Sequence, residues 1–285
     1  MKAKRVFLII AFFLLFLAIL SAFLALVQRE IPLKDKVALV RVEGPILQSK
    51  SVVEEIKGYV KDKGIKAIVL RVDSPGGGVV ASQEIYEEVK KASAVKNVVV
   101  SMGAVAASGG YYISAAANRI VANPGTITGS IGVIMEVPNI KGLLEKLGIK
   151  SEVVKSGKHK DLASVFRGIG PEERAILQGV MDDVHEQFIQ AVADGRKMEI
   201  DEVKKISDGR IFSGRQAQEI GLVDEIGDLD HAVKTAAKLA GIAEEPEIVT
   251  KKERSLIFDL LSGGGTHGQG LGFLPQVELK YQFMP

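Results

Sequence analysis

Four short segments concentrate small, hydroxylated and basic residues in patterns that could do chemistry. They are Asp73-Ser74-Pro75-Gly76-Gly77-Gly78, Ala107-Ser108-Gly109-Gly110-Tyr111-Tyr112, Thr128-Gly129-Ser130-Ile131-Gly132 and Lys155-Ser156-Gly157-Lys158-His159-Lys160-Asp161. Glycine belongs where a backbone N–H must approach a ligand with no side chain between them. Two such donors aimed at one point make an oxyanion hole, and losing one typically costs about 10²–10³ in rate. Gly77 and Gly109 are the candidates. Ser108, directly before Gly109, is a candidate nucleophile, and it stands near the start of a helix expected through Tyr111–Ala117, whose positive end favours an anion.

Serine attacks only when a base takes its proton. Of the four histidines only His159 falls in one of these loops, so a Ser–His–Asp triad is one option. A lysine can serve instead if desolvation brings its pKa from ~10.4 toward 7–8, at a cost of roughly 3–5 kcal/mol. A hydroxyl such as that of Ser130 would hold the neutral amine. Each motif alone also fits a plain turn, a packing surface or a solvated loop. The chain lacks a G-x-x-x-x-G-K-[ST] loop, an H-E-x-x-H pair and a G-x-S-x-G elbow.

The elements that must position these loops follow from the apolar pattern. Val37–Val42, Ala67–Val72 and Val98–Met102 are short valine-rich runs, with helically spaced charges over Val52–Lys63 and Ala81–Ala92 between them. Strands alternating with helices predict βαβ units around a buried, largely parallel sheet. In such a sheet the loops at the carboxyl ends of the strands converge on one edge, where ligands bind. Ile140–Leu147 reads as a helix and Ser151–Val154 as a strand. A long helix starts at Pro171, with Ile176, Val180, Val184, Phe188 and Val192 on one face and Gly195 ending it. That stripe reads as core or subunit interface. Arg215–Ile220 and Leu229–Ala240 are shorter helices.

The chain has 285 residues and no cysteine, so thiol nucleophiles, disulfides and cysteine metal sites are excluded. No metal or other cofactor is expected. Net charge is +2, and Lys2, Lys4 and Arg5 lie ahead of the folded part, leaving it near neutrality and arguing against nucleic-acid partners. Val6–Val27 is an uncharged run long enough to span a bilayer and too long for the apolar region of a cleaved leader. The organisation expected is a cytoplasmic stub at 1–5, a membrane anchor at 6–27, a linker at 28–36, a catalytic domain at 37–250 outside the cytoplasm, and a flexible tail at 251–285. Within the tail, Val277, Leu279, Tyr281 and Phe283 alternate with polar residues as a strand would.

Together with Ala122-Asn123-Pro124-Gly125-Thr126-Ile127 ahead of the third segment, the four motifs in their order resemble the signal peptide peptidase A family, from about Val37 to Val249. The resemblance implies the α/β crotonase/Clp-protease-like fold of repeated ββα units behind a single transmembrane helix, as in the short form of that family. It implies a serine endopeptidase with Ser108 as nucleophile, Lys160 as general base, Ser130 orienting the lysine, and Gly77, Gly109 and Gly76 around the oxyanion. The Clp histidine would fall near Val133, where there is none, which favours the lysine. Asp73 and Gly78 depart from the family's usual Asn and Ser. The implied substrates are hydrophobic peptides, foremost remnant signal peptides. The implied assembly is a homo-oligomeric ring at the cell membrane with serine and lysine from neighbouring subunits, an inactive monomer, and a groove for small or aliphatic side chains. The tail could enter that groove as an added strand and be trimmed. Other readings of the same residues are a quality-control protease for one membrane partner, an acyl-CoA-binding protein and a non-catalytic scaffold.

Overall fold

The computed structural model describes residues 11–21, 35–251 and 280–282. Residues 11–21 form a helix, α1, and the rest of the expected 6–27 anchor lies outside the described residues. Among the described residues no helix is long and apolar enough to cross a membrane.

The body opens with β1 (Lys36–Glu43), α2 (Lys50–Lys61), β2 (Ile65–Ser74), β3 (Gly76–Gly78), α3 (Val79–Ser93), β4 (Asn97–Ala107) and α4 (Gly109–Ala115). It continues with β5 (Arg119–Ala122), β6 (Ile127–Gly129), α5 (Lys141–Lys146), α6 (Pro171–Arg196), α7 (Ile200–Ile206) and β7 (Ile211–Ser213). Then come α8 (Gly214–Glu219), β8 (Glu225–Ile226), α9 (Leu229–Leu239), β9 (Glu247–Val249) and β10 (Lys280–Gln282). The result is a mixed α/β body on a mostly parallel sheet, in which β2, β3 and α3 form one ββα unit.

The sheet runs β7-β6-β4-β2-β1-β9, and β5 pairs with β4 and β8. Among the described residues only the β6–β7 pair in it is antiparallel. Its strands are apolar runs rather than alternations because both faces are covered. Ala38, Val40, Ile68, Leu70, Val98 and Val100 pack on one face with residues of α3, α4 and α6. Val37, Leu39, Ala67, Val69 and Val99 pack on the other with Ala232, Val233, Ala236 and Ala237 of α9.

The central strand β4 changes neighbours along its length. Val99–Met102 pair with β5, whereas Val105–Ala107 pair with β6. β4 therefore reaches Ala107, five residues past the apolar run visible in the sequence, and delivers the chain straight to Ser108.

Three expectations need correction. Ser151–Val154 is not a strand. It is exposed and has no ladder partner among the described residues, and β-propensity makes a strand only where a partner satisfies its backbone. Gly76–Gly78 is a strand rather than a turn, paired on both sides. Gly195 does not end α6: the helix runs to Arg196 and is capped by Lys197 at φ 55°. Gly195 instead allows close contact with α4, since a Cβ there would sit 2.0 Å from the Ala115 carbonyl oxygen.

Candidate active site

Ser108 lies at the hinge between β4 and α4, only 1% exposed, with φ 53° and ψ −117°. A non-glycine residue held there is strained by about 1–3 kcal/mol, and such strain collects at functional turns. Two backbone bonds impose it. The Ser108 N–H donates to the Gly129 carbonyl at 2.8 Å, continuing the β4–β6 ladder, while its own carbonyl already accepts from Tyr112 N–H at 2.8 Å in the first turn of α4. The side chain is thereby turned out of the strand at the sheet's carboxyl edge.

Ser130 follows Gly129 and is also at positive φ, 50°, with its N–H donating to the Arg210 carbonyl at 2.8 Å. The β4–β6 register pairs Ala107 with Gly129, so Ser108 and Ser130 are the next residues on adjacent parallel strands.

β3 supplies the facing wall. Ile46 N–H donates to Gly76 and Gly78 N–H donates to Ile46, each at 2.8 Å. Backbone groups alternate sides along a strand, so the N–H and C=O of Gly77 point the other way. On that side lies β10, antiparallel, with Tyr281 opposite Gly77. Lys280 exchanges both its backbone bonds with Ile134 at 3.2 Å, which by the same alternation turns the Tyr281 carbonyl toward β3. The tail's strand pattern is thus realised at Lys280–Gln282, lying as an added strand between β3 and Ile134.

The Tyr281 carbonyl occupies the spot between the glycines. A Cβ on Gly76 would sit 1.9 Å from that oxygen and 2.6 Å from the Gly109 nitrogen. Gly76 has φ +95°, and its own N–H donates to Ser74 Oγ at 3.1 Å, so it contributes clearance, while the amides of Gly77 and Gly109 border the carbonyl. The Tyr281 ring is fully buried, stacked on Tyr112 at 5.0 Å between centroids and tilted against Phe188 at 4.8 Å. Its hydroxyl donates to the Val184 carbonyl at 3.1 Å. Burial holds the Tyr281 phenol far above its ordinary pKa, and pushes that of Tyr112 up to about 12.

Lys160 is exposed, in the loop before α6. Its neighbours are committed: Lys158 and His159 both pair with Glu172, and Lys155 pairs with Asp161. Arg167 bridges Asp161 and Glu173 at 2.8 and 2.5 Å. Among the described residues no group hydrogen-bonds or pairs with the Lys160 ammonium, nor does Ser108 Oγ have a hydrogen-bond partner. Ser108 and Lys160 are therefore not joined to each other within one chain.

Sequence reasoning missed the aromatic chamber. Tyr112 is in view, one helical turn after Ser108. Phe188 sits on the α6 stripe, whose second half, Val184, Phe188 and Val192, is buried, whereas Ile176 and Val180 are exposed. Nothing in the spacing says that Phe188 meets Tyr112, because that contact depends on how α6 crosses α4.

A strained serine at a strand-to-helix turn, beside glycines that border a peptide carbonyl, is the equipment of a serine peptidase. The sequence profile of peptidase family S49 matches residues 90–243, and that of Clp protease matches residues 37–126. A protein of Synechocystis sp. named as a protease is 44% identical over 239 residues, which are 83% of this chain and 86% of that one. One of Enterococcus faecium, named as signal peptide peptidase SppA, is 40% identical over 70% of this chain and 58% of its own length. The chloroplastic serine protease SPPA of Arabidopsis thaliana is 32% identical over 82% of this chain and 37% of its own. The chain belongs to peptidase family S49, the family of signal peptide peptidase A.

Proposed function

We propose that this chain is a membrane-anchored serine endopeptidase that uses Ser108 and Lys160 to hydrolyse hydrophobic peptides, foremost signal-peptide remnants. The observation that carries the reading is the peptide carbonyl of Tyr281 seated between Gly76 and Gly109, one residue from Ser108. A substrate strand adds to β3 in the same way, its backbone supplying affinity independent of sequence. The Lys160 amine, oriented by Ser130, takes the Ser108 Oγ proton as Oγ attacks the carbonyl carbon. The amides of Gly77 and Gly109 hold the oxyanion. The lysine then passes the proton to the leaving amine, the C–N bond breaks, and water hydrolyses the ester by the reverse roles.

The unpartnered Lys160, out of hydrogen-bond contact with Ser108, supports a base delivered by a neighbouring subunit of a ring. In that reading the exposed Ser151–Val154 segment and the exposed start of α6 face the neighbour. Val6–Val27 is the anchor, and the catalytic domain lies outside the cytoplasm.

The test compares the full chain with Ser108→Ala and Lys160→Ala on a fluorogenic peptide that carries a signal-peptide core, with oligomer size measured alongside. Cleavage by the parent and loss in both assembled variants is expected. Activity surviving Lys160→Ala would overturn the dyad, and an assembled but inert parent would overturn the peptidase reading.

A further inference from the structure

Strand β4 reaches Ser108 through a bulge that is held from the strand beside it. Val72 pairs with Met102 but Ser74 pairs with Ala106, so Gly103, Ala104 and Val105 stand opposite Asp73 alone. Unbroken pairing would set Ser74 against Ala104. The bulge takes up those two extra residues, and without it Ser108 would run about 6–7 Å further past the end of β2.

Side chains hold the backbone of this bulge. The Val105 N–H donates to Asp73 Oδ1 at 3.1 Å, and Thr126 Oγ1 donates to the Gly103 carbonyl at 2.7 Å. The Met102 carbonyl accepts from Arg71 Nη1 at 3.1 Å and from Asn123 Nδ2 at 3.4 Å. The Asp73 bond acts where the ladder resumes. Val105 is the first residue of β4 paired with β6, and from there Ala107 meets Gly129 and Ser108 comes beside Ser130. The carboxylate is packed directly on Gly103, where a Cβ would sit 2.6 Å from Asp73 Cγ and 2.7 Å from Oδ2. Among the described residues no cation pairs with Asp73, so its work there is to accept the Val105 amide.

We propose that Asp73 is a positioning residue for Ser108. By fixing the Val105 amide, its Oδ1 sets the register in which β4 passes to β6, and with it the place of the serine. The consequence for turnover rests on the peptidase reading of Ser108. Position 73 has to supply an acceptor oxygen, so asparagine serves there as aspartate does.

The test uses the full chain with Asp73→Asn, Asp73→Ala and Gly103→Ala. Steady-state cleavage of the fluorogenic peptide is one readout, and hydrogen exchange over 103–108 is the other. Gly103→Ala reaches the same contact from the opposite side, since its methyl pushes the carboxylate off Val105, so the result does not hang on one variant folding. Asp73→Ala and Gly103→Ala should lower kcat about 10–100-fold with KM within about twofold, because substrate adds to β3 and not to β4. In both, exchange of the Val105 and Ser108 amides should rise at least ~10-fold. Asp73→Asn should bring both readouts to within about twofold of the parent. A loss of kcat in Asp73→Asn as large as in Asp73→Ala would overturn the acceptor role. A Ser108 amide as protected in Asp73→Ala as in the parent, or a raised KM at constant kcat, would overturn the positioning of Ser108. An inert parent whose exchange still responds in this way would keep the placement and sink the peptidase reading.

Discussion

Ser108 and Ser130 leave adjacent parallel strands side by side, each with left-handed backbone, φ 53° and 50°. The pairing of Ala107 with Gly129 fixes this relationship, and it brings two hydroxyl-bearing residues to one point on the sheet edge. Neither is a glycine, although glycine would be the easier residue at such φ. Strain retained twice at one place is the pattern expected where chemistry, not stability, sets the residue type.

Replacing Ser108 with glycine should therefore separate the two properties. Ser108→Gly removes the nucleophile and relieves the turn, so peptide hydrolysis falls by at least ~10³-fold. Relief of about 1 kcal/mol raises the melting temperature by roughly 2–4 °C in a domain of this size. Calorimetry on the parent and variant reads the second effect. A lower melting temperature would mean that the turn is not strained.

Gly76→Ala tests the clearance that lets a peptide carbonyl reach the two amides. The added methyl falls 1.9 Å from the Tyr281 oxygen and 2.6 Å from the Gly109 nitrogen, and φ +95° disfavours alanine besides. Activity should drop at least ~10²-fold while far-ultraviolet circular dichroism is retained. Near-normal turnover would show that substrates do not lie along β3 as β10 does.

The added strand also predicts self-processing. With the Tyr281 carbonyl seated between Gly76 and Gly109, the proposed site should cleave the next bond and release residues 282–285. Intact-mass analysis of incubated parent should show this loss, and Ser108→Ala should keep all 285 residues. A parent mass unchanged while added peptides are turned over would make β10 a resident strand only.

The loop carrying Lys160 should loosen in acid. Arg167, chiefly, and then the Gly170 N–H lower the Glu173 pKa from the ordinary 4.5 to about 2. Arg167 followed by Lys155 holds Asp161 well below the usual carboxylate range. Both pKa values are depressed by folding, so the unfolded loop takes up protons first as pH drops. Their stabilisation is complete above about 4.5 and is lost as pH falls toward 2. Hydrogen exchange over 155–173 should be flat from pH 7 to 5, after correction for intrinsic rates, and rise below 4.5. Arg167→Met should show the faster exchange already at pH 7. A parent profile unaffected by acid would remove this cluster as the anchor of the lysine loop.

Much of the positioning scaffold is legible in the sequence. The valine runs mark β1, β2 and the first half of β4, because strands covered on both faces are apolar without interruption. Pro171 and the acidic first turn mark the start of α6. The glycine pairs around Ser108 and Gly77 point to a backbone-lined site. What stays hidden depends on partners remote in sequence. Gly76–Gly78 has turn composition, and becomes a strand only because Ile46 and Tyr281 flank it. Ser151–Val154 has strand composition, and stays irregular for want of a partner among the described residues. Which of Lys158, His159 and Lys160 is left without a partner among the described residues depends on Glu172, which engages the first two. The aromatic chamber draws on α3, α4, α6 and β10, so no single window of sequence contains it.

The claim most exposed to refutation is that Ser108 and Lys160 of different subunits make one site. Co-expression of Ser108→Ala with Lys160→Ala tests it, because each variant carries the half the other lacks. Random pairing around a head-to-tail ring restores about a quarter of parental activity in the mixed assembly, while each variant alone is inert. A mixed assembly as inactive as its components would contradict the shared site and return the lysine to the serine's own chain.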